Sequence, residues 1–115
     1  MTINMKDFSF DQGDTLPAGK NTFKVVNAGP QPHEWNIMRL EQGKTMEDVG
    51  KWFAQPAGPP PFQAVGGMNG LTTGQSGYVT LYLPTGNYLA ICNIPDPASQ
   101  KPHAQLGMVK AFTVR

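Results

Sequence analysis

Apolar residues in this chain recur at every second position in short runs, and turn-forming residues stop each run within a few positions. Lys6 to Phe10 places Phe8 and Phe10 on one face before Asp11-Gln12-Gly13-Asp14 breaks it. Thr22 to Asn27 forms a second run, ended by Ala28-Gly29-Pro30, and Glu34 to Leu40 brings Trp35 and Ile37 together. Tyr78 to Leu83 aligns Val79, Leu81 and Leu83, and Pro84-Thr85-Gly86-Asn87 turns the chain into Tyr88 to Asn93. Met108 to Val114 puts Met108, Phe112 and Val114 on one face. A period of two is the repeat of a strand whose side chains alternate between core and water. Repeated this often, at fairly even spacing, it predicts an all-β sandwich or barrel, with antiparallel sheets on either side of one core. Thirteen glycines and eleven prolines supply the turns, at a level below the roughly 25–30% where disorder becomes the default.

One stretch departs from the pattern. Thr45 is a fitting N-cap, Glu47 and Asp48 are acids for a first turn, and Met46, Val49 and Phe53 fall at helical spacing. This predicts one short helix near residues 45–54, ending before Ala57-Gly58-Pro59-Pro60-Pro61, which a helix cannot enter. From there to Thr73 the glycines, prolines and Met68 read as a loop.

With 115 residues, the chain is expected to form one domain spanning 1–115, burying roughly two thirds of its unfolded surface. Nine basic residues against eight acidic ones leave a net charge of +1, which gives no electrostatic case for a nucleic acid or an anionic membrane as partner. No run of 18 apolar residues is present, so no segment is expected to insert in a bilayer. Cys92 is the only cysteine, which excludes an intramolecular disulfide and a four-cysteine zinc site. The start, Met1-Thr2-Ile3-Asn4, lacks a basic stretch followed by an apolar one. It reads either as the start of a cytoplasmic protein or as a mature domain without its leader.

The residues with the most chemistry lie near the end. Cys92 closes one strand, His103 sits in the following connection, and Met108 opens the next strand. His33, the only other histidine, lies where Pro30-Gln31-Pro32 gives way to a strand. Taken singly, each has a plain structural role: a buried cysteine is a small hydrophobe, a methionine fills a core, a histidine ends a turn. Together, one thiolate, two imidazoles and one thioether are the inventory of a blue-copper site, where two His and one Cys form a plane and a Met binds weakly along its axis. Thiolate and thioether are soft and suit Cu(I), while imidazole suits both oxidation states.

The sequence resembles the cupredoxins, the small blue copper proteins, over nearly its whole length. Asn27-Ala28-Gly29 leading to Pro32-His33 is similar to the first-ligand loop of that family. Leu83-Pro84-Thr85-Gly86-Asn87-Tyr88 running into Cys92 resembles its strand into the cysteine, and Pro102-His103-Ala104-Gln105-Leu106-Gly107-Met108 matches a plastocyanin-like Pro-His-x-x-x-Gly-Met. The resemblance implies a Greek-key sandwich with His33, Cys92, His103 and Met108 as the four copper ligands. Two features depart from the pattern. Residues 93–102 separate Cys92 from His103, a longer connection than in plastocyanin or azurin, though longer ones occur in copper nitrite reductases. Glu34 stands where the family commonly has Asn, so Glu34 and Asn93 are expected to tie the two ligand loops together.

One-electron transfer, not enzymatic turnover, is the function this resemblance implies. An exposed His103 edge within an apolar patch is expected to meet a transient redox protein partner, with Pro59-Pro60-Pro61-Phe62 and Met68 as candidate neighbours. The resemblance also implies a monomer working in the periplasm or outside the cell. Copper storage, delivery or resistance is the alternative, suggested by six methionines, although these are scattered along the chain. A Cys92–His103 nucleophile pair is a third reading, with no orienting residue evident in the sequence. Zinc could occupy the same donors.

Overall fold

The computed structural model describes residues 1–115. In chain order the elements are β1 (Thr2–Lys6), β2 (Ser9–Asp11), β3 (Thr15–Leu16), β4 (Gly19–Gly29), β5 (His33–Leu40), α1 (Met46–Ala54), β6 (Phe62–Leu71), β7 (Ser76–Leu83), β8 (Gly86–Ile91), a 3-10 turn (His103–Leu106) and β9 (Val109–Val114). Strands β2-β1-β4-β7 form one sheet and β3-β9-β8-β5-β6 the other. The period-two runs became strands as expected, but both sheets are mixed. Most pairings are antiparallel, whereas β1 runs parallel to β4 and β3 parallel to β9. The amino-terminal segment is what makes them so. After β2 the chain crosses from the first sheet to the second, where β3 is laid along the last strand.

Alternation aims one face of each sheet inward. Ile3, Met5, Phe23, Val25, Leu81 and Leu83 from the first sheet meet Trp35, Ile37, Tyr88, Phe112 and Val114 from the second within one cluster of sixteen buried residues. Phe23 and Trp35 pack edge to face across the gap at 5.1 Å. Burying each such side chain stabilises the fold by about 1.5–3 kcal/mol relative to exposure. The Trp35 indole N–H, which could not be left unpaired there, donates to Gln12 Oε1 at 2.9 Å, on the segment that crosses between sheets.

Strand β8 is buried on both faces. Tyr88 and Ala90 belong to the main cluster, while Leu89 and Ile91 pack with Met38 and Val49 in a second cluster under α1. This is why the sequence from Tyr88 to Cys92 is continuously apolar. Helix α1 begins as its sequence dictates. The Thr45 side chain accepts from the Asp48 backbone, and the Asp48 side chain accepts from the Thr45 backbone.

The segment expected as a loop from the prolines to Thr73 is largely strand. Residues Phe62–Leu71 form β6 on the outer side of β5, with register shifts that reflect local bulging. Its glycines concealed it. Gly67 has φ +138° and lies so close to β5 that a Cβ would fall 1.8 Å from the Trp35 carbonyl oxygen. Only glycine permits that approach. Asp7 and Phe8, expected inside one strand with Phe10, instead form the turn between β1 and β2.

Candidate metal centre

Side-chain parity carries the donors inward. His33 is the first residue of β5, in step with the core residues Trp35 and Ile37. Cys92 follows β8 in step with Tyr88 and Ala90. After residues 93–102, the backbone returns to lay His103 against the same end. His103 N donates to the Ile94 carbonyl at 2.9 Å, and Ala104 N donates to the Cys92 carbonyl at 2.8 Å. Met108 is pinned beside both: its N donates to the His103 carbonyl at 3.1 Å, and its carbonyl accepts from Cys92 N at 3.3 Å.

His33, Cys92 and His103 come together as a buried group that could hold a metal ion, their donor atoms within 4.8 Å of one another. The two Nδ1 atoms lie 3.1 Å apart, and Cys92 Sγ lies 3.5 Å from His103 Nδ1. Imidazole nitrogens bond ions such as zinc at about 2.0–2.1 Å and thiolates at about 2.3 Å. One ion can therefore bridge the 3.1 and 3.5 Å gaps, and the chemistry of the donor set fits a soft transition metal. Met108 has no exposed surface, and neither does any of the three donors.

The surroundings define each donor. Asp7 Oδ1 lies 2.7 Å from His33 Nε2. A carboxylate only accepts, so His33 Nε2 carries the ring hydrogen and Nδ1 keeps a bare lone pair. Burial pushes the His33 pKa down, and the hydrogen bond that the ring donates to Asp7 opposes that shift. His103 Nε2 lies 2.6 Å from Gln31 Oε1, and the half-buried Phe8 ring packs at 5.1 Å from the His103 ring. Burial also pushes the Cys92 thiol up, partly offset by backbone N–H groups of Glu34 and Ile94. Glu34 N donates to Sγ at 3.4 Å.

Two expectations are corrected here. His103 does not present an exposed edge, because Gln31, held in the turn before β5, covers its outer nitrogen while Phe8 flanks the ring. Nor does the Glu34 carboxylate reach Asn93. It accepts from Asn36 two residues along its own strand at 2.8 Å, and it is the Glu34 backbone that touches the sulfur. The ligand loops are joined instead by the Gln31 side chain, which meets both His103 Nε2 and Asp96 Oδ1, and by Glu34 N on the Cys92 sulfur, while the Asn27 side chain donates to the carbonyls of Gln31 and Leu71. Pro59, Pro60 and Pro61 line a groove with Trp52 and Lys51 of α1, separate from the donors, while Met68 pairs across to Trp35. Asp7, Gln31 and Asp96 were not singled out from the sequence. An acid beside a run of alternating residues, and a Gln two residues before His33, are the only signals they leave.

No protein-family model and no curated protein matches the chain. Solved structures do. Sodium-dithionite-reduced auracyanin of the photosynthetic bacterium Roseiflexus castenholzii superposes with a TM-score of 0.69 at 24% identity, covering 99% of this chain and 94% of that one. Auracyanin A, a "blue" copper protein of Chloroflexus aurantiacus, gives 0.61 at 19% identity, covering 100% and 98%. A purple cupredoxin of Nitrosopumilus maritimus gives 0.54 at 16% identity over 99% and 98%. Likeness of this extent, end to end on both sides, establishes that the chain has the cupredoxin fold.

Proposed function

We propose that this protein carries single electrons on one copper ion held by His33, Cys92 and His103, with Met108 as the weak axial donor. The observation that carries the reading is the convergence of one sulfur and two Nδ1 atoms in a fully buried position at the end of the core. Copper bound there supplies a Cu(I)/Cu(II) couple. The chain's own residues supply a frame: His33 is held in register with Leu71 of β6, Cys92 N donates to the Met108 carbonyl, and backbone bonds on both sides of the 3-10 turn fix His103. A frame that does not move between charge states keeps reorganisation small, which suits fast transfer.

Burial argues against the nucleophile reading. Cys92 has no exposed surface and its thiol is pushed up in pKa, whereas a reactive cysteine needs access and a stabilised thiolate. Because His103 is covered, a transient redox partner would dock over Phe8 and Gln31, both partly exposed. Residues 1–115 would act as one monomeric domain outside the reducing cytosol, as suits a thiolate–copper carrier. Cupric ion added to the metal-free protein should produce an intense visible band that Cys92→Ala abolishes. Reversible redox cycling without metal loss supports a carrier, and ready surrender of Cu(I) to a chelator would point to delivery. No visible band in the wild-type protein would overturn the proposal.

A further inference from the structure

The connection between Cys92 and His103 carries a buried carboxylate. Asp96 is 8% exposed. It sits in a small closed loop, where Pro95 and Pro102 form a bridge and Asp96 N donates to the Lys101 carbonyl at 2.8 Å. Its Oδ2 accepts from Ser99 N at 2.9 Å and Ser99 Oγ at 2.8 Å. Its Oδ1 accepts from Gln31 Nε2 at 2.8 Å. Those bonds, from Gln31 first and then Ser99, hold the Asp96 carboxyl below its ordinary pKa.

The consequence is directional. An ionised carboxylate only accepts, so Gln31 must turn its NH2 toward Asp96. That turns the Gln31 amide oxygen toward His103 Nε2, 2.6 Å away. An amide oxygen also only accepts, so Nε2 of the neutral ring carries the hydrogen and Nδ1 is bare. His103 Nδ1 is the atom facing Cys92 Sγ and His33 Nδ1. Gln31 is itself anchored, its N donating to Asp7 Oδ1 at 3.1 Å and its carbonyl accepting from Asn27 Nδ2 at 2.9 Å.

We propose that the long 93–102 connection is a positioning device for His103, with Gln31 as its working contact. Asp96 orients the Gln31 amide, and Gln31 selects the His103 tautomer whose bare Nδ1 faces the other donors. The purpose of the device rests on the metal-site reading. The tautomer is a property of the metal-free protein and is measured without it.

The test uses 15N-labelled metal-free protein at mildly alkaline pH, with long-range proton–nitrogen correlations of the imidazoles, followed by cupric-ion affinity from chelator competition. Wild-type protein should show the His103 hydrogen on Nε2. Gln31→Ala should mix the tautomers and weaken affinity by about tenfold to a hundredfold. The exchange Gln31→Glu with Asp96→Asn swaps acceptor and donor across the pair and should restore both readouts. A wild-type His103 hydrogen on Nδ1 overturns the proposal, as does Gln31→Ala with unchanged tautomer or unchanged affinity, or a swap that restores neither readout. If wild-type protein binds no copper while Gln31→Ala still shifts the tautomer, the copper function fails and Asp96–Gln31 control of the ring stands.

Discussion

At His33, burial and a neighbour pull in opposite directions. Loss of solvent disfavours the charged ring, while the Asp7 carboxylate at 2.7 Å favours it and fixes the hydrogen on Nε2. Asp7 also accepts from Gln31 N, so one carboxylate steadies the approaches to both histidines. Asp7→Ala should weaken cupric-ion affinity by about tenfold to a hundredfold. Asp7→Asn, which keeps an acceptor oxygen, should lose less. Chelator competition with circular dichroism as a fold control checks both, and equal affinity for wild type and Asp7→Ala would refute the role. The clustered His33, Cys92 and His103 were readable because thiols and imidazoles are scarce in this chain, one Cys and two His. Asp7, Gln31 and Asp96 were not. They are common polar types whose meaning comes from contacts 26, 72 and 65 residues away in sequence.

Among the elements, α1 was legible because its signals are local. A cap, first-turn acids and helical spacing sit within nine residues, and the capping box forms as written. The Asp48 pKa is lowered, chiefly by the backbone hydrogen bond from Thr45 and then by the Thr45 side chain. A depressed carboxyl contributes stability above its unfolded value, which is near 3.8, and loses it as pH falls through the lower folded value. The urea midpoints of wild type and Asp48→Asn should therefore differ at neutral pH and converge in strong acid. A constant gap would show that the charge is irrelevant. Thr45→Ala should cost about 1 kcal/mol.

Strand β6 illustrates the opposite case. Gly66, Gly67 and Gly70 erase the apolar alternation that marks a strand, because β6 approaches β5 too closely for side chains at Gly67. That constraint lies in the partner strand and is invisible locally. Gly67→Ala combines a clash with the Trp35 carbonyl and a φ of +138° that L residues rarely adopt. It should lower stability by about 3 kcal/mol or more, a large effect for one methyl group. Denaturant titration measures it, and a neutral result would mean that β6 can lift away from β5 without penalty.

Over the whole molecule, the three clustered residues sit at one end of neighbouring strands of the second sheet. His33, Cys92 and His103 belong to β5, the end of β8 and the approach to β9, which are consecutive in the second sheet. Their outer partners come from elsewhere. Asp7 follows β1, and Asn27, which holds the Gln31 carbonyl, lies in β4, both in the first sheet. An ion bound to the three donors would thus close contacts between residues up to 70 apart and tie the two sheets at one end of their shared core. A ligand that binds the folded chain and not the unfolded one adds stability set only by its concentration over Kd, about 2.7 kcal/mol at a hundredfold excess. Cupric ion at that excess should raise the urea midpoint by that free energy divided by the slope, while leaving the slope unchanged, since the surface exposed on unfolding stays the same. Cys92→Ala removes one donor from a fully buried position and should unfold at a midpoint that copper scarcely moves. An equal copper-induced rise in both proteins would mean that the ion binds elsewhere, and that the sheets are held at this end by packing and hydrogen bonds alone.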